Sequence, residues 1–191
     1  GLGSGTAVAT AIVRALAANG ISIDTSVFKH GRRDGMVSFD YAGAPDALVP
    51  WPVAADDVCR RDPLGDVVEF PIYCEEWPVW HFLTASRVYR AVQGRLHPLP
   101  RDEYGGDGSA AGTGERLGHA ARLRRLVREK HAWKLDFNQC SGRQLVAALR
   151  RVEQRYGAHR GTLPVVLIGH PKPFTAWNER SLEPFLRFVA A

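Results

Sequence analysis

The sequence VVLIGHPKPF, Val165 to Phe174, runs four apolar residues into a glycine, a histidine and a Pro-Lys-Pro turn. An unbroken apolar run of this length predicts a strand covered on both faces, as in a parallel sheet with helices on each side. His170 follows at the carboxyl end of that strand, which is where open sheets and barrels hold their chemistry. The stretch therefore predicts an α/β fold, and it leaves two interpretations of His170, a structural histidine or a functional one.

Helices and β-type runs alternate along the rest of the chain. Apolar residues at helical spacing predict a helix over 5–19, ended by Asn19-Gly20, and alternation predicts a strand over 21–26. Pro71 interrupts the strand predicted over 66–74, so we expect an edge, a bulge or a strand end there. Between the N-terminal strand and the C-terminal third, we expect an extended loop over 29–65, a helix from about Thr84, a low-complexity loop over 102–115 and a basic helix over 116–130. A strand is expected over 132–138, followed by a helix with a Ser141–Gln144 capping box. The last helix is expected to have Ser181 as its N-cap and Pro184 in its first turn.

The composition is that of a single globular domain spanning 1–191. Of the 191 residues, 45% are hydrophobic and 24% are charged, which is enough to bury a real core. No apolar run approaches the ~20 residues that cross a bilayer, so no membrane span is expected. The cysteines, Cys59, Cys74 and Cys140, are odd in number and far apart, which argues against a disulfide framework or a structural zinc site and favours a reducing, cytoplasmic compartment.

A net charge of +5 makes nucleic acid a partner to consider. Much of the excess lies in RLGHAARLRRLVREK, Arg116 to Lys130, whose arginines spread around a partly apolar segment. No aromatic-basic pattern typical of a nucleic-acid-binding motif accompanies it. We therefore interpret this segment as a solvated helix surface and expect no nucleic-acid binding.

The familiar catalytic motifs are incomplete. GLGSG at 1–5 leads into a helix but lacks the preceding strand and the spacing of a phosphate-binding loop. Neither Ser4 nor Ser141 stands in the Gly-x-Ser-x-Gly elbow of a serine hydrolase. The histidines form no His-x-x-x-His pair, and Asp56-Asp57 lies in a polar stretch. This leaves His170, because a histidine can deliver a proton to a leaving group near neutral pH.

Four stretches together resemble a known family: GLGSGTAVATAIVRALAANGISIDTSVF, SFDYAGAPDALVPWPV, DVVEFPIYC and LPVVLIGHPKPFTAWNERSLEPFLRFV. In that order they resemble the later part of polysaccharide deacetylase-like proteins, the NodB-homology carbohydrate esterases. The resemblance implies a deformed (β/α) barrel that hydrolyses N-acetyl (amide) or O-acetyl (ester) groups on a glycan, with a zinc-like divalent metal that activates water. It also implies that His170 protonates the leaving group, and it matches Asp24 less closely to the rim of the site.

One part of the family pattern is missing. The family's metal-binding motifs, an Asp-Asp pair and a His-x-x-x-His, precede the region that GLGSG resembles, so the metal ligands are absent from this chain. The resemblance thus implies a C-terminal portion, a partial barrel with parallel strands that lacks its first strands. Such a barrel has ~250 residues, which leaves roughly a quarter to a third of the fold upstream. Without metal-activated water, we expect these residues alone to be inactive.

Two other functions stay open at this point. A non-catalytic carbohydrate-binding relic of the same fold would stack sugar rings on tryptophans, for which the candidates are Trp51, Trp77, Trp80 and Trp177. An unrelated α/β hydrolase would pair His170 with a serine, but the elbow motif that such an enzyme needs is missing.

Overall fold

The protein is described here by a computed structural model over residues 4–33, 38–82, 127–170 and 176–191. Helices and strands are mixed along the chain, so the predicted α/β class is confirmed. The elements are α1 Ser4–Ala18, β1 Ile23–Asp24, β2 Arg32–Arg33, β3 Phe39–Asp40, β4 Trp51–Ala54, β5 Asp57–Arg61, β6 Val68–Glu69, β7 Cys74–Pro78, a 3-10 turn Val79–Phe82, β8 Lys130–Lys134, α2 Gly142–Tyr156 and α3 Ala176–Ala190. The predicted helix from Thr84, the loop 102–115 and most of the basic segment lie outside these residues.

The end of α1 forms where its Asn-Gly sequence predicts it. Gly20 has a φ of +72°, and its N–H donates to Ala17 O at 3.0 Å. The N–H of Ile21 donates to Leu16 O at 3.0 Å. These two bonds are those of a Schellman motif, in which a left-handed residue lets the chain turn back over the last carbonyls of the helix.

A mixed four-stranded sheet of order β1-β6-β4-β5 forms the first half of the fold. β1 and β6 are parallel, with Asp24 opposite Glu69, and β4 is antiparallel to both of its neighbours. The loop predicted over 29–65 is wrong, because β2 pairs with β3 and β4 pairs with β5 within it. These strands have two to five residues, too few for alternation to stand out among the Gly, Pro and Asp of the turns.

The predicted break at Pro71 is confirmed, since β6 ends at Glu69 and the chain next pairs at Ile72. β7 and β8 then form an antiparallel ribbon. Beyond the Cys74–Lys134 end of this ribbon, residues 165–168 form parallel bridges to the continuations of both strands. Val166 pairs with Ile72, and Ile168 pairs with Asp136.

Among the described residues, the stretch 165–168 makes only these single bridges. It is partly buried, so the prediction of a fully covered strand is wrong. A strand covered on both faces needs a layer on each side, and these residues are partly exposed. The strands of the described part of the chain do not close into a barrel.

α2 begins with the predicted capping box: the Ser141 side chain accepts the Gln144 N–H, and the Gln144 side chain accepts the Ser141 N–H. Its buried face, with Leu145 and Ala148 fully covered, packs against Leu135 and Trp133. This second core is separate from the one that α1 and β4 share, which is centred on Val27, Trp51 and Val53.

α3 differs from the expectation at its start. It begins at Ala176, so Ser181 is not its N-cap and Pro184 lies inside the helix. The Ser181 hydroxyl instead accepts the N–H of Gly142 at 3.0 Å, which ties α3 to the first residue of α2. Tertiary contact between the helices, which the local sequence does not show, therefore gives this serine its role.

Candidate functional site

His170 is exposed just beyond the Asp136–Ile168 bridge, and its backbone is fixed by one side chain. The Asn138 amide accepts the His170 N–H through Oδ1, and its Nδ2 donates to His170 O at 3.0 Å. Asn178 of α3 in turn donates to Asn138 O at 3.1 Å. The imidazole makes no hydrogen bond or ion pair with the rest of the described chain. The backbone of His170 is thus held in place while its ring stays accessible.

Gly169 lets this arrangement form. A Cβ at this position would lie 1.7 Å from the Phe137 ring, so any side chain would force the ring aside. The Gly-His dipeptide at the end of the apolar run therefore has a steric reason: the glycine allows the close approach of Phe137, and the next residue reaches the surface.

Asp24 lies in β1, half-buried, and its carboxylate accepts two hydrogen bonds from the turn that follows. The Thr25 N–H donates to Oδ1 at 2.8 Å, and the Ser26 hydroxyl donates to Oδ2 at 2.8 Å. The strand register sets Asp24 beside Glu69 of β6. In the described part of the chain, no hydrogen bond or ion pair joins Asp24 to His170, so the structure does not bring the two predicted site residues into contact.

Glu69 is the functional candidate that sequence reasoning missed. Its side chain is fully buried, and burial together with the neighbouring Asp24 charge raises its pKa to about 8, against the Val27 N–H bond, which lowers it. No local pattern marks this residue, because a glutamate in a strand is ordinarily taken for the solvent face. Only the pairing of β6 between β1 and β4 buries it.

A second acidic group, Glu75, stands at a cleft of about 810 Å³ between β7 and the C-terminal half of α2. Arg151 donates to both of its carboxylate oxygens, at 2.8 and 2.9 Å, and Tyr73 and Trp77 donate to it as well. Burial acts to raise the Glu75 pKa, but these donors outweigh it and lower the pKa below its usual range. Since the carboxylate is fully engaged, we interpret this group as structural; neither Asp24 nor His170 lines the cleft.

The tryptophans divide by exposure. Trp51 is 1% exposed and donates its indole N–H to Val58 O, so it belongs to the core rather than to a sugar-binding surface. Trp77 stacks on His81, with ring centroids 4.3 Å apart, and carries the Arg151 guanidinium near its ring. Trp80 is 58% exposed and stays available for a ligand. The Trp177 side chain lies outside the described part of the structure.

A metal of the kind implied by the resemblance does not fit the residues that are described. Among them, no group of three or more His, Cys, Asp or Glu side chains is placed to hold an ion. The two carboxyls of Asp24 and Glu69 make one pair of acids, of which one is fully buried.

Comparison with known proteins adds no relative from which a role could be transferred. No family model matches the sequence, and neither a curated protein nor a solved structure is detectably similar to it. None of the described helices is both long enough and apolar enough to cross a bilayer.

Proposed function

We propose that the chain is the C-terminal part of a polysaccharide deacetylase-like carbohydrate esterase, a partial (β/α) barrel in which His170 acts as general acid. The observation that carries this is the fixed backbone and accessible imidazole of His170. An imidazole that is carried on a fixed backbone and is open to a substrate can deliver a proton. The parallel bridges of residues 165–168 support the strand arrangement, and the four resembling stretches supply the reaction class.

In the proposed step, the protonated imidazole transfers its proton to the leaving nitrogen or oxygen of the glycan. Water has by then added to the acetyl carbon, so the bond between that carbon and the leaving atom breaks as the proton arrives, and the products are acetate and the sugar as an amine or alcohol. A divalent metal would supply the activated water in such an enzyme. We place its ligands upstream of Gly1, as the family resemblance implies; the described residues contain no group of side chains placed to hold an ion.

The test is acetate release from acetylated chitooligosaccharide and acetylated xylan by the native gene product that contains these residues. Replacing His170 with alanine is expected to lower the turnover number about 10²-fold or more, because a positioned acid contributes at least that much. His159→Ala is the matched control, since His159 is also exposed but follows α2. It should leave turnover unchanged.

Two results would overturn this proposal. Equal activity of the His170→Ala and His159→Ala proteins would remove His170 from the reaction. Zinc-dependent acetate release by residues 1–191 alone would contradict the placement of the metal ligands. A native gene product that releases no acetate from either glycan would favour the second candidate.

That second candidate is carbohydrate binding without turnover, which the exposed Trp80 favours. Trp80 belongs to the 3-10 turn Val79–Phe82, directly before His81, which stacks on Trp77. Replacing Trp80 with alanine is expected to weaken calorimetric binding of chitohexaose about tenfold, which corresponds to about 1.4 kcal/mol. Leu186→Ala, which removes an apolar side chain of similar exposure from α3, is the control. Equal affinities of the two variants would exclude Trp80 as the platform.

A further inference from the structure

The carboxyl group of Glu69 is buried, and one of its oxygens has no hydrogen-bond partner among the described residues. Its side chain is 0% exposed and belongs to the central strand pair, next to the core of Trp51 and Val53. Oε1 accepts the Val27 N–H at 2.9 Å. Oε2 is buried and has no hydrogen-bond partner of acceptable geometry in the part of the chain that the structure describes. A buried carboxylate oxygen without a donor is costly, so this atom calls for a proton or a ligand.

The nearest candidate for that partner is the Asp24 carboxyl. The β1–β6 register sets the two residues side by side, and the Asp24 charge acts to raise the pKa of Glu69. Both Asp24 oxygens already accept bonds, from Thr25 and Ser26. Two adjacent carboxyls of which one is buried cannot both carry a charge unless a cation lies between them.

The other groups that face Glu69 supply no such cation. Within the described residues Glu69 makes no ion pair, and the remaining titratable neighbours are Tyr41, after β3, and Cys59 of β5. Burial, with nearby acidic charges, raises the pKa of Cys59 to about 12 and also raises that of Tyr41, so both are neutral at physiological pH. Among the described residues, the groups around Glu69 are thus acidic or neutral.

We propose that Glu69 and Asp24 form a shared-proton pair, in which neutral Glu69 carries the proton on Oε2 and directs it toward the Asp24 carboxyl. The native protein then binds one proton that the unfolded chain releases near neutral pH. In this arrangement the buried Glu69 holds the proton of the pair, and the half-exposed carboxyl of Asp24 accepts from it. The shared proton does not require acetyl hydrolysis, and the measurements below follow stability and protonation rather than acetate release.

The sign of the pH dependence follows from the raised pKa. Between about 4.5 and about 8, folded Glu69 keeps a proton that unfolded Glu69 loses, so stability is fully present below that window and is lost as pH rises through it. Relative to Glu69→Gln, the unfolding equilibrium constant of the wild type is expected to rise about tenfold per pH unit inside the window. Glutamine keeps an oxygen for the Val27 N–H but cannot titrate. Glu183→Gln, at an exposed glutamate of α3, is the control and should keep the wild-type slope.

Infrared spectroscopy tests the pair without a need for Glu69→Gln to fold. Wild type at pH 6.5 should show a protonated-carboxyl band that disappears as the pH rises through about 8, and Asp24→Asn should move that midpoint to lower pH. The absence of the band at pH 6.5 would overturn the proposal. A midpoint that Asp24→Asn leaves unmoved would show an isolated buried acid and overturn the pairing. Stabilisation of the wild type by added calcium or zinc, lost in Glu69→Gln, would make this a cation site instead.

Discussion

Replacing Arg151 with methionine is expected to lower the free energy of unfolding by about 3 kcal/mol. The change leaves Glu75, which is 9% exposed, without the guanidinium that neutralises it, while methionine keeps most of the apolar stem. Removal of one partner from a buried ion pair costs about 3–5 kcal/mol, and we take the lower end because Arg151 itself is 34% exposed. Urea unfolding at neutral pH measures the loss.

Arg143→Met is the matched control, because Arg143 lies exposed in the first turn of the same helix and makes no ion pair with the described residues. It should change stability by no more than about 0.5 kcal/mol. The Glu75 pKa is lowered in the native state, so the contribution of the pair is present above the unfolded pKa of glutamate and is lost as pH falls through the folded value. The difference between wild type and Arg151→Met should therefore shrink in acid. A difference that persists there would show that packing, not charge, holds Arg151.

Replacing Leu145 with alanine is expected to cost about 3 kcal/mol, within the range of about 2–5 kcal/mol for such changes in cores. Leu145 is 0% exposed in the second core, where α2 meets Leu135 and Trp133. The change removes the transfer free energy of the buried side chain. It also creates a cavity that the close-packed neighbours cannot fill. Leu64→Ala removes the same atoms from a residue that is 91% exposed and should cost at most about 0.5 kcal/mol. Similar midpoints of urea unfolding for the two variants would contradict this account of the core.

Local chemistry predicted the features of the fold that depend on a few adjacent residues. The Schellman end of α1, the capping box of α2 and the break at Pro71 all follow from backbone conformations that single residue types favour. The short strands within 29–65 could not be predicted from the sequence, because strands as short as the two-residue β2 and β3 show no periodicity. The start of α3 was placed wrongly because Ser181 bonds to another helix.

Part of the candidate site could likewise be predicted from the sequence. His170 could be found because an apolar run points to it, and the structure does place it at an accessible end. Glu69 and Asn138 could not be found, since their partners Val27 and His170 come from distant parts of the chain. What a single sequence conceals here is which polar residues the tertiary fold buries.

The pairing of residues 165–168 beyond the end of the β7–β8 ribbon also constrains the order of folding. The hairpin of β4 and β5 closes over a short stretch, whereas the bridge from Ile72 to Val166 closes a loop of about half the chain. Closing long loops costs more entropy, so this pairing is expected late in folding. A nascent chain on the ribosome that has not yet reached Val166 leaves the edge at Tyr73 uncovered, as a site for chaperones or for aggregation.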